Sequence, residues 1–547
     1  MDLDILVALS PRSAADPAVC RAALEKAGQG HQLHFLSAAD AGSAAWVLFW
    51  QADALPRLGL FDALEKAAAR WPDAGALECR RLPLEQSKLY DPSTLQTDFF
   101  SGPAVCIRRQ ALEAAGGWQA GWPDAASRLD LSFRLRAAGY SLYYCPDAAV
   151  DCPAPPDDLE NYRDQLIGRL LLAFQYGTIA DAARAKFAFI KALRRPRPFA
   201  HVRPTLLKGA AGRYCAMWAA FLFRFFRRKT FAACKGMLCD RLAISRGSQP
   251  LEPLGPQPLV SVIIRTCQQP AMLRRTLESL RWQTYRNFEV VLVEDGEAAS
   301  GFLAEEFPDL TIRYQATGTR LGRGKAGNLG LSLAKGKYCN FLDQDDYFYA
   351  DHLEMLVSRL ASHPEADIVF GSAMEMDADI LSRDPYQLRV ERIFHLDNQR
   401  IDPFLFCHSC PSPIQTVLFR RSLFEELGGL HEELEGGEDW YFWLKLLTRA
   451  RRANQRLADV RRATSVFLVP ADPEAARRRV EGYQPDYDRI FEDDSLRYTF
   501  TAAQLRRFYD DLLGDVAAME AAGALPALLA TRRPHPDTEG EDSCYTP

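Results

Sequence analysis

The sequence predicts an α/β protein with two domains, each built on a mainly parallel sheet, joined by a helical linker. Three observations predict this architecture. The chain has 547 residues, which is more than one hydrophobic core usually holds. Short apolar runs alternate with stretches of helical periodicity in both halves of the chain, as in α/β folds. Proline-rich stretches at 152–156 and 253–258 separate these halves from the segment between them.

Composition excludes several classes of protein. Apolar residues make up 48% of the chain and charged residues 25%, which is the balance of a globular protein. The formal net charge of -5 is small, and nucleic-acid-binding domains usually carry a basic excess, so we expect no nucleic-acid partner. The closest cysteine pairs lack the further Cys or His ligands that a zinc site needs, which predicts reduced thiols.

The chain shows no sequence signal for export or for crossing a membrane. Its acidic start lacks the basic and apolar regions of a secretory signal. The longest apolar run, 214–226, is interrupted by Arg224 and is shorter than the roughly 20 residues that span a bilayer. We therefore expect a cytoplasmic protein without a transmembrane helix.

The first region, residues 1–156, predicts an α/β domain in which short apolar runs alternate with helix-like stretches. The predicted strands are 5–9, 46–50 and 141–145, and the predicted helices are 60–71 and 108–115. The region ends at Cys152-Pro153-Ala154-Pro155-Pro156, a sequence that continues neither a strand nor a helix.

The second region, residues 157–257, is helical in pattern and becomes basic in its second half. Between 186 and 229, Lys and Arg flank aromatic and apolar residues, a composition suited to an anionic membrane surface. The same composition fits a linker whose apolar side packs on the two domains. The sequence leaves both alternatives open: a helical linker alone, or one that also contacts the inner face of the cell membrane.

The third region, residues 258–470, predicts a second parallel sheet. Three apolar, β-branched runs at 259–264, 288–293 and 337–342 read as strands buried on both faces, and helical stretches separate them. The second run ends at Glu294-Asp295 and the third at Asp343. Since ligands of parallel sheets bind outside the carboxyl ends of the strands, we expect these acids at one site. Further helices are predicted over 471–533, followed by a disordered tail at 534–547.

The acidic cluster Asp343-Gln344-Asp345-Asp346 predicts a metal site for a phosphate-bearing substrate. Carboxylates crowded at a strand end repel one another, and a divalent cation relieves that repulsion. Oxygen ligands favour Mg²⁺ or Mn²⁺, and Mg²⁺ is usually held by one or two carboxylates plus substrate phosphates. Asp343 and Asp345 are the expected ligands. Asp346 fits equally well as a cap of the helix predicted over 349–360.

Two further segments carry candidate chemistry. The glycine-rich, basic stretch 320–330 lies between the acidic strand ends and offers backbone amides and Lys325 to an anionic ligand, although it lacks the spacing of known phosphate loops. Glu438-Asp439 begins an aromatic-rich helix. These acids could simply be stabilised by the helix dipole, or Asp439 could act as a general base toward a substrate hydroxyl.

Five motifs lie between residues 259 and 447. In chain order they are 260–266, 293–296, 322–330, 341–346, and Gly428-Gly429-Leu430 followed by Glu438-Asp439. In order and spacing they resemble the family 2 glycosyltransferases of GT-A fold, the Rossmann-like fold of nucleotide-diphospho-sugar transferases.

The resemblance assigns expected roles to individual residues. It implies that Thr266, Glu294 and Asp295 contact the nucleoside. It also implies that Asp343 lies near the ribose and the metal, and that Asp345 ligates the metal. Asp439 is the expected base, with Glu438 beside it in the catalytic pair.

The chain departs from the family pattern at several motif positions. Arg265 stands where the family commonly has Pro, and Glu294-Asp295 stands where it usually has two Asp residues. Gly327 stands where the family usually has Arg, and the Asn that follows in the family is kept as Asn328. Lys325 could supply the lost charge, so Lys325 and Asn328 are included among the expected donor-binding residues. These changes leave the reaction class intact but put the identity of the nucleobase in doubt.

The first region looks like a degenerate copy of the third. Residues 46–56 resemble the strand with the acidic cluster, with Gln51 in place of its first Asp, and 100–118 resemble 419–430. Ser127-Arg128 occupies the position of the acid pair. A site with a cation there and no base cannot run base-assisted transfer, so we expect this copy to be inactive. An unrelated α/β domain is the alternative.

The resemblance implies an inverting glycosyltransferase that moves a sugar from a nucleotide-diphosphate donor to a hydroxyl of a glycan or lipid-linked glycan. Cell-surface polysaccharide or glycoconjugate synthesis is the family's commonest destination. Two rivals stay open: a non-catalytic glycan-binding or scaffold protein derived from a glycosyltransferase, and a metal-dependent phosphatase with a nucleophilic Asp. The intact acids argue against the first, and Asp346-Tyr347 where a phosphatase has Gly-Thr argues against the second.

Overall fold

A computed structural model describes the two sheet domains and the last part of the segment between them. The described residues are 2–8, 17–36, 42–118, 124–153, 159–176, 183–187, 244–396, 406, 410, 412–452, 457–493, 496 and 506. Most of the basic segment 186–229, the tail 534–547 and nearly all of the C-terminal residues beyond 493 lie outside them.

The N-terminal domain is a seven-stranded mixed sheet with strand order β2-β1-β3-β6-β5-β7-β4. Its strands are β1 (Asp2–Ala8), β2 (Gln32–Leu36), β3 (Trp46–Gln51), β4 (Leu55–Pro56), β5 (Ala74–Leu82), β6 (Ala104–Arg108) and β7 (Ser141–Asp151). Its helices are α1 (Pro17–Ala27), α2 (Leu60–Arg70), α3 (Arg109–Ala114) and α4 (Asp124–Ala137), and α5 (Leu159–Tyr176) follows the domain.

The C-terminal domain is a nine-stranded sheet with strand order β10-β9-β8-β11-β15-β13-β16-β12, and β14 pairs with β13. Its strands are β8 (Val260–Thr266), β9 (Phe288–Glu294), β10 (Ile312–Ala316), β11 (Tyr338–Asp343), β12 (Tyr347–Phe348), β13 (Ile368–Arg383), β14 (Tyr386–His395), β15 (Val417–Arg420) and β16 (Ala458–Pro470). Its helices are α6 (Pro270–Arg281), α7 (Leu303–Glu306), α8 (Arg323–Leu333), α9 (His352–Ser362), α10 (Ser422–Leu427), α11 (Glu438–Arg452) and α12 (Pro473–Glu492).

The central strand β8 shows why this sheet is covered on both faces. All of its residues are buried, and the side chains alternate between two apolar clusters. Val262 and Ile264 lie in one cluster with helices α6 and α9, and Ile263 lies in the other with α8 and α11. Continuous β-branched runs therefore mark strands between two helical layers, as the sequence predicted.

The two sheets share one strand order and one set of strand directions. Without β10 and β14, the C-terminal order β9-β8-β11-β15-β13-β16-β12 corresponds strand by strand to the N-terminal order β2-β1-β3-β6-β5-β7-β4. Parallel pairs correspond to parallel pairs (β8–β11 to β1–β3) and antiparallel pairs to antiparallel pairs (β11–β15 to β3–β6). The prediction of two α/β domains is confirmed, and the shared strand order agrees with the expectation that the first domain is a copy of the second.

The end of the segment between the domains differs from its prediction. We expected helix over 157–257, but the described part at 244–257 contains neither helix nor strand. Pro250, Pro253 and Pro256 remove amide donors and restrict the backbone, which prevents helical hydrogen bonding there. This strap runs between the domains: Arg246 N donates to Ser87 O at 2.8 Å, and Ala463 N donates to Arg246 O at 2.6 Å.

A buried cluster of balanced charge joins the strap to both domains. Arg80 of the N-terminal domain pairs with Glu354 of the C-terminal domain at 2.7 Å. Asp351 accepts from Arg246 of the strap at 3.0 Å and from Arg462 of β16 at 2.7 Å. The cluster contains Arg80, Arg246, Arg462, Glu85, Asp351 and Glu354. Because buried charges need complete sets of partners, each domain supplies charges that the other must neutralise.

Membrane contact was predicted for 186–229, and residues 188–229 lie outside the described part of the chain. None of the helices in the described ranges is long and apolar enough to cross a membrane.

Candidate functional site

The predicted acids meet at one edge of the C-terminal sheet. Strands β8, β9 and β11 run parallel and end at Thr266, Glu294 and Asp343. Thr266 lies opposite Glu294, and Asp343 lies opposite Arg265, in the register of the sheet. Parallel pairing therefore brings together residues that are almost 80 positions apart in the chain.

Glu294 and Asp295 shape the loops of this edge in the structure. Glu294 is fully buried and accepts backbone hydrogen bonds from Gln268 at 2.7 Å and Ser300 at 2.8 Å. Asp295 accepts from the amides of Leu321 at 2.6 Å and Gly322 at 3.0 Å, which fixes the loop that starts α8. These contacts define the walls of the predicted nucleoside site, and contact with the nucleoside itself stays a prediction.

Thr266 lies on the neighbouring strand of the same edge. Its hydroxyl donates to Gln344 Oε1 at 2.7 Å, and the amide of Cys267 donates to the same oxygen at 3.0 Å. Gln344, the residue inside the acidic cluster without a charge, thus ties the end of β8 to the end of β11. Thr266 is therefore held in place before any ligand arrives.

The glycine-rich segment forms the start of α8, and its two candidate side chains differ in their surroundings. Lys325 is exposed on the first turn of the helix. Asn328 is engaged: its Nδ2 donates to Leu430 O at 2.9 Å, and its Oδ1 accepts from Leu430 N at 2.9 Å. Asn328 thus holds the Gly428–Leu430 motif against α8, a contact between two sequence motifs 102 positions apart.

Arg265 occupies the centre of the acidic site. Its Nε and Nη2 donate to the two carboxylate oxygens of Asp343, both at 2.8 Å, and its Nη1 donates to Glu438 Oε1 at 2.7 Å. Burial alone would lower the pKa of Arg265, but the charges of Asp343 and Glu438 outweigh burial and raise that pKa above its usual value. A single guanidinium therefore links the end of β11 to the start of α11.

Gly327 makes room for this arrangement. A Cβ at this position would lie 2.4 Å from Leu430 Cδ1 and 3.5 Å from Arg265 Cδ. A longer side chain on α8 would therefore collide with the Gly428–Leu430 motif and crowd the Arg265 stem. Arg265, on the strand, places a positive charge beside the acids, and a role for the exposed Lys325 toward the donor stays a prediction.

Asp439 differs from its neighbour Glu438 in its electrostatic surroundings. Its Oδ1 accepts from the amide of Trp440 at 2.8 Å, and in the part of the chain that the structure describes it forms no ion pair. Desolvation, together with the charge of Glu438, raises the pKa of Asp439 to about 7. The side chain remains partly exposed. Asp439 therefore sits near the midpoint of its titration at neutral pH.

The carboxylates at the end of β11 fit a metal cation that binds together with a phosphate-bearing substrate. No group of three or more His, Cys, Asp or Glu side chains able to hold a metal occurs within the described residues. Both oxygens of Asp343 already accept from Arg265, although a carboxylate has about four lone-pair positions. Mg²⁺ sites often use one or two carboxylates and take the remaining ligands from phosphates and water. Asp345, partly exposed, and Asp343 suit such a site.

Asp346 has a different role from the helix cap that the sequence suggested. Helix α9 begins at His352, later than predicted, and its cap position is Asp351, whose side chain makes no capping hydrogen bond. Asp346 is buried, and its Oδ1 accepts from the amide of Leu468 on β16 at 3.0 Å. It fixes the acidic loop to a neighbouring strand, and the short strand β12 then precedes the start of α9.

The corresponding edge of the N-terminal sheet carries different chemistry. Strand β3 ends at Gln51, whose Nε2 donates to Asp53 at 2.7 Å. Arg128 lies buried on α4, and Asp130 on the same helix pairs with Arg134 and accepts from Gln175 at 3.1 Å. Asp130 thus serves packing against α5, and no carboxylate equivalent to Asp439 is available in the described part of this edge.

Comparison with known proteins identifies the class of the C-terminal domain. Residues 261–428 match the family described as glycosyl transferase family 2. The matched segment runs from β8 to the first glycine of the Gly428–Leu430 motif and contains Arg265, Asp343 and Asp345. Together, the α/β fold and this match support the assignment of residues 261–428 to glycosyl transferase family 2.

Individual relatives agree with that assignment. An uncharacterized glycosyltransferase of Rickettsia prowazekii is 28% identical over 190 residues, which cover 34% of this chain and 58% of the relative. The uncharacterized glycosyltransferase EpsJ of Bacillus subtilis is 30% identical over 208 residues, covering 36% of this chain and 58% of that protein. The chain thus spans little more than half the length of these relatives.

Solved structures show a more distant likeness. S. aureus TarS 1-349 in complex with UDP-GlcNAc has 19% sequence identity and a TM-score of 0.30, covering 42% of this chain and 70% of that one. Mannosyltransferase PcManGT from Pyrobaculum calidifontis, in complex with GDP-Man and Mn²⁺, has 21% identity and a TM-score of 0.35, covering 52% of this chain and 82% of that one. A structural likeness at this level does not support a comparison of function.

Proposed function

We propose that this chain is an inverting glycosyltransferase that moves a sugar from a nucleotide-diphosphate donor to a hydroxyl of a glycan or lipid-linked glycan. Its place would be in the cytoplasm, in cell-surface polysaccharide or glycoconjugate synthesis. Family 2 membership of residues 261–428 supports the reaction class. The observation that carries the proposal is Asp439, a carboxylate with a pKa of about 7 at the same sheet edge as Asp343.

Asp439 is suited to accept the proton of the attacking hydroxyl. A general base works best when its pKa lies near the operating pH, because it is then both available and sufficiently basic. Glu438 contributes to this state by its adjacent charge, while its own carboxylate is held by Arg265 at 2.7 Å. The adjacent acids thus have separate roles: Glu438 fixes the start of α11, and Asp439 takes the proton.

The donor would bind along the carboxyl ends of β8, β9 and β11. Thr266, Glu294 and Asp295 define the side proposed for the nucleoside, and Lys325 and Asn328 at α8 lie on the side proposed for the diphosphate. Asp343 and Asp345 would hold Mg²⁺ or Mn²⁺. When bound, that cation neutralises the charge that builds up on the leaving diphosphate.

Arg265 keeps this acidic site assembled. Two carboxylates facing one cleft repel each other, and the guanidinium between Asp343 and Glu438 removes that repulsion. The acceptor oxygen would then approach the anomeric carbon from the side of Asp439, opposite the departing diphosphate. Attack from that side inverts the anomeric configuration.

We also propose that the N-terminal domain takes no part in the chemistry. Its strand β3 ends at Gln51 and not at an acid, and its Asp53 is engaged by Gln51 at 2.7 Å. Ser127 and Arg128 stand near the start of α4, where the C-terminal domain has its acid pair. The presence of this domain then needs an explanation other than catalysis.

A thermal-shift screen tests the donor half of the proposal. The full chain is heated with UDP-, GDP-, dTDP- and CDP-sugars, with and without Mn²⁺ or Mg²⁺. One nucleotide class should raise the midpoint more than the others and do so more strongly with the metal, because stabilisation follows ligand concentration over Kd. Asp345→Asn should lose the metal-dependent part of the rise. A protein derived from a glycosyltransferase but without catalysis would show no metal-dependent nucleotide binding.

A further inference from the structure

A polar cavity lies between the two domains, outside the acidic site. Its volume is about 530 Å³, within the range of roughly 300–1,000 Å³ typical of ligand pockets. The N-terminal domain contributes the loop from Leu89 to Asp98 and the turn that leads into β7. The C-terminal domain contributes Arg275 on α6, Tyr347 on β12 and the apolar side chains of β13, β14 and β16. Neither domain encloses the cavity alone.

The charges in the cavity wall cancel one another. Among the described lining residues the charged ones are Asp91, Asp98, Arg136 and Arg275. Arg275 pairs with Asp91 at 3.0 Å across the domain boundary, and Arg136 pairs with Asp98 at 3.1 Å. A wall of this kind offers no net charge to a phosphate or a carboxylate. It therefore favours an uncharged ligand with many hydroxyl groups over the anionic sugar nucleotide.

The remaining wall combines aromatic faces with hydrogen-bonding groups. Tyr140 and Tyr347 present rings from opposite domains, and Gln96, Thr97 and Ser141 add amide and hydroxyl groups. The hydroxyl of Tyr347 is buried next to that of Tyr386, with which it interacts. Apolar ring faces beside such groups match the apolar and polar faces of a sugar ring.

The cavity adjoins the acidic site. Tyr347 follows Asp345 by two residues, and the guanidinium of Arg275 lies 5.1 Å from the centre of its ring. A chain lying in the cavity would thus run past the proposed metal site.

We propose that the cavity between the two domains binds a neutral oligosaccharide, and that this oligosaccharide is the acceptor chain beyond its reacting hydroxyl. The identification as acceptor rests on the proposed function, whereas saccharide binding rests on the cavity itself. The N-terminal domain then serves as half of a binding site, which accounts for its presence without catalytic acids.

Binding of defined probes tests this inference on the full chain. The probes are maltohexaose, cellohexaose, laminarihexaose and mannohexaose, all neutral, and a hexamer of galacturonic acid as the anionic counterpart. Saturation-transfer NMR should show binding of at least one neutral probe and weaker binding of the anionic one. Gln96→Trp fills the cavity from an exposed position and should weaken that binding at least tenfold. Gln257→Trp, exposed on the strap and outside the cavity, is the matched control and should bind normally.

Three results would overturn the inference: no neutral probe binds, the anionic probe binds more tightly, or Gln96→Trp binds as the wild type does. Val390→Trp blocks the opposite wall from the other domain and keeps the test decisive if Gln96→Trp misfolds. Donor-induced thermal shifts should be unchanged in both variants. Saccharide binding without donor binding would refute the proposed function and leave the cavity assignment standing, and the converse result would refute the cavity assignment alone.

Discussion

Replacing Asp439 with Asn should stabilise the fold while removing activity. The pKa of this carboxyl is raised from an ordinary value of 3.8 to about 7, first by desolvation and then by the charge of Glu438. Each pH unit of difference between the folded and unfolded pKa is worth about 1.4 kcal/mol, so the ionised side chain costs about 4 kcal/mol above pH 7. Asn carries no charge and can still accept the hydrogen bond from Trp440 N.

The direction of the pKa shift determines how the stability difference between the variant and the wild type depends on pH. Because the folded pKa exceeds the unfolded one, the folded state holds the proton more tightly between about pH 4 and pH 7. The cost to the wild type is therefore absent near pH 4, grows as the pH rises and is complete above pH 7. The variant should melt several degrees higher than the wild type at pH 8, and the two proteins should converge near pH 4.5.

Glu438→Gln is the matched control, since it removes a charge from the adjacent position. Glu438 is ion-paired with buried Arg265, so this variant should lose about 3 kcal/mol of stability at pH 8. Differential scanning calorimetry at pH 4.5, 6 and 8 measures both effects. If Asp439→Asn is destabilised at pH 8 as Glu438→Gln is, then Asp439 is not a desolvated carboxylate and the argument for its role as the base fails.

Two further predictions concern stability. Burial lowers the pKa of His352 to about 3. Between pH 6.5 and pH 3 its imidazole is therefore protonated in the unfolded state but not in the folded state. The free energy of unfolding should fall by about 1.4 kcal/mol per pH unit as the pH drops through that range. His352→Gln should lack this slope in acid titrations of the urea midpoint. Asp351→Asn should cost about 3–5 kcal/mol, because Arg246 and Arg462 lose their shared acid. Asp379→Asn, on an exposed ion pair, should change stability by less than about 1 kcal/mol, and equal losses in the two variants would refute the buried-cluster account.

The strands that carry the site could be predicted because their signal is local. A continuous apolar, β-branched run such as 288–293 indicates a strand covered on both faces, and parallel strands place their carboxyl ends together. Those two facts were enough to bring Glu294 and Asp343 to one edge. The element boundaries differed from expectation by a few residues, most clearly at α9, where the short strand β12 intervenes.

The partners of the site residues could not be predicted, since they are long-range. Arg265 looked like a departure from the family pattern, yet it pairs with Asp343 and with Glu438, 173 positions away. The signal available was a lone arginine at the end of an otherwise apolar buried strand, which needs acidic partners wherever they lie in the chain. Asn328 likewise forms hydrogen bonds with Leu430, a contact that no local sequence pattern predicts.

The surface between the domains was equally invisible to sequence patterns. Prolines marked the segment before β8 as a linker, but they do not show that Arg246 within it completes a buried charge cluster. That cluster needs Arg80 and Glu354, one from each domain, at 2.7 Å. Hydropathy indicates whether a residue is buried but not which residue it contacts. The cavity between the domains therefore could not be predicted from the sequence.

The most direct measurement is transfer itself, followed by proton NMR with the full chain, the donor selected by thermal shift, Mn²⁺ and the neutral oligosaccharide that binds. The wild type should release nucleoside diphosphate and produce a new anomeric signal of configuration opposite to that of the donor sugar. Asp439→Asn, folded and at least as stable at pH 8, should be slower by about 10²–10⁴. Retained configuration, or turnover by Asp439→Asn equal to the wild type, would contradict the account.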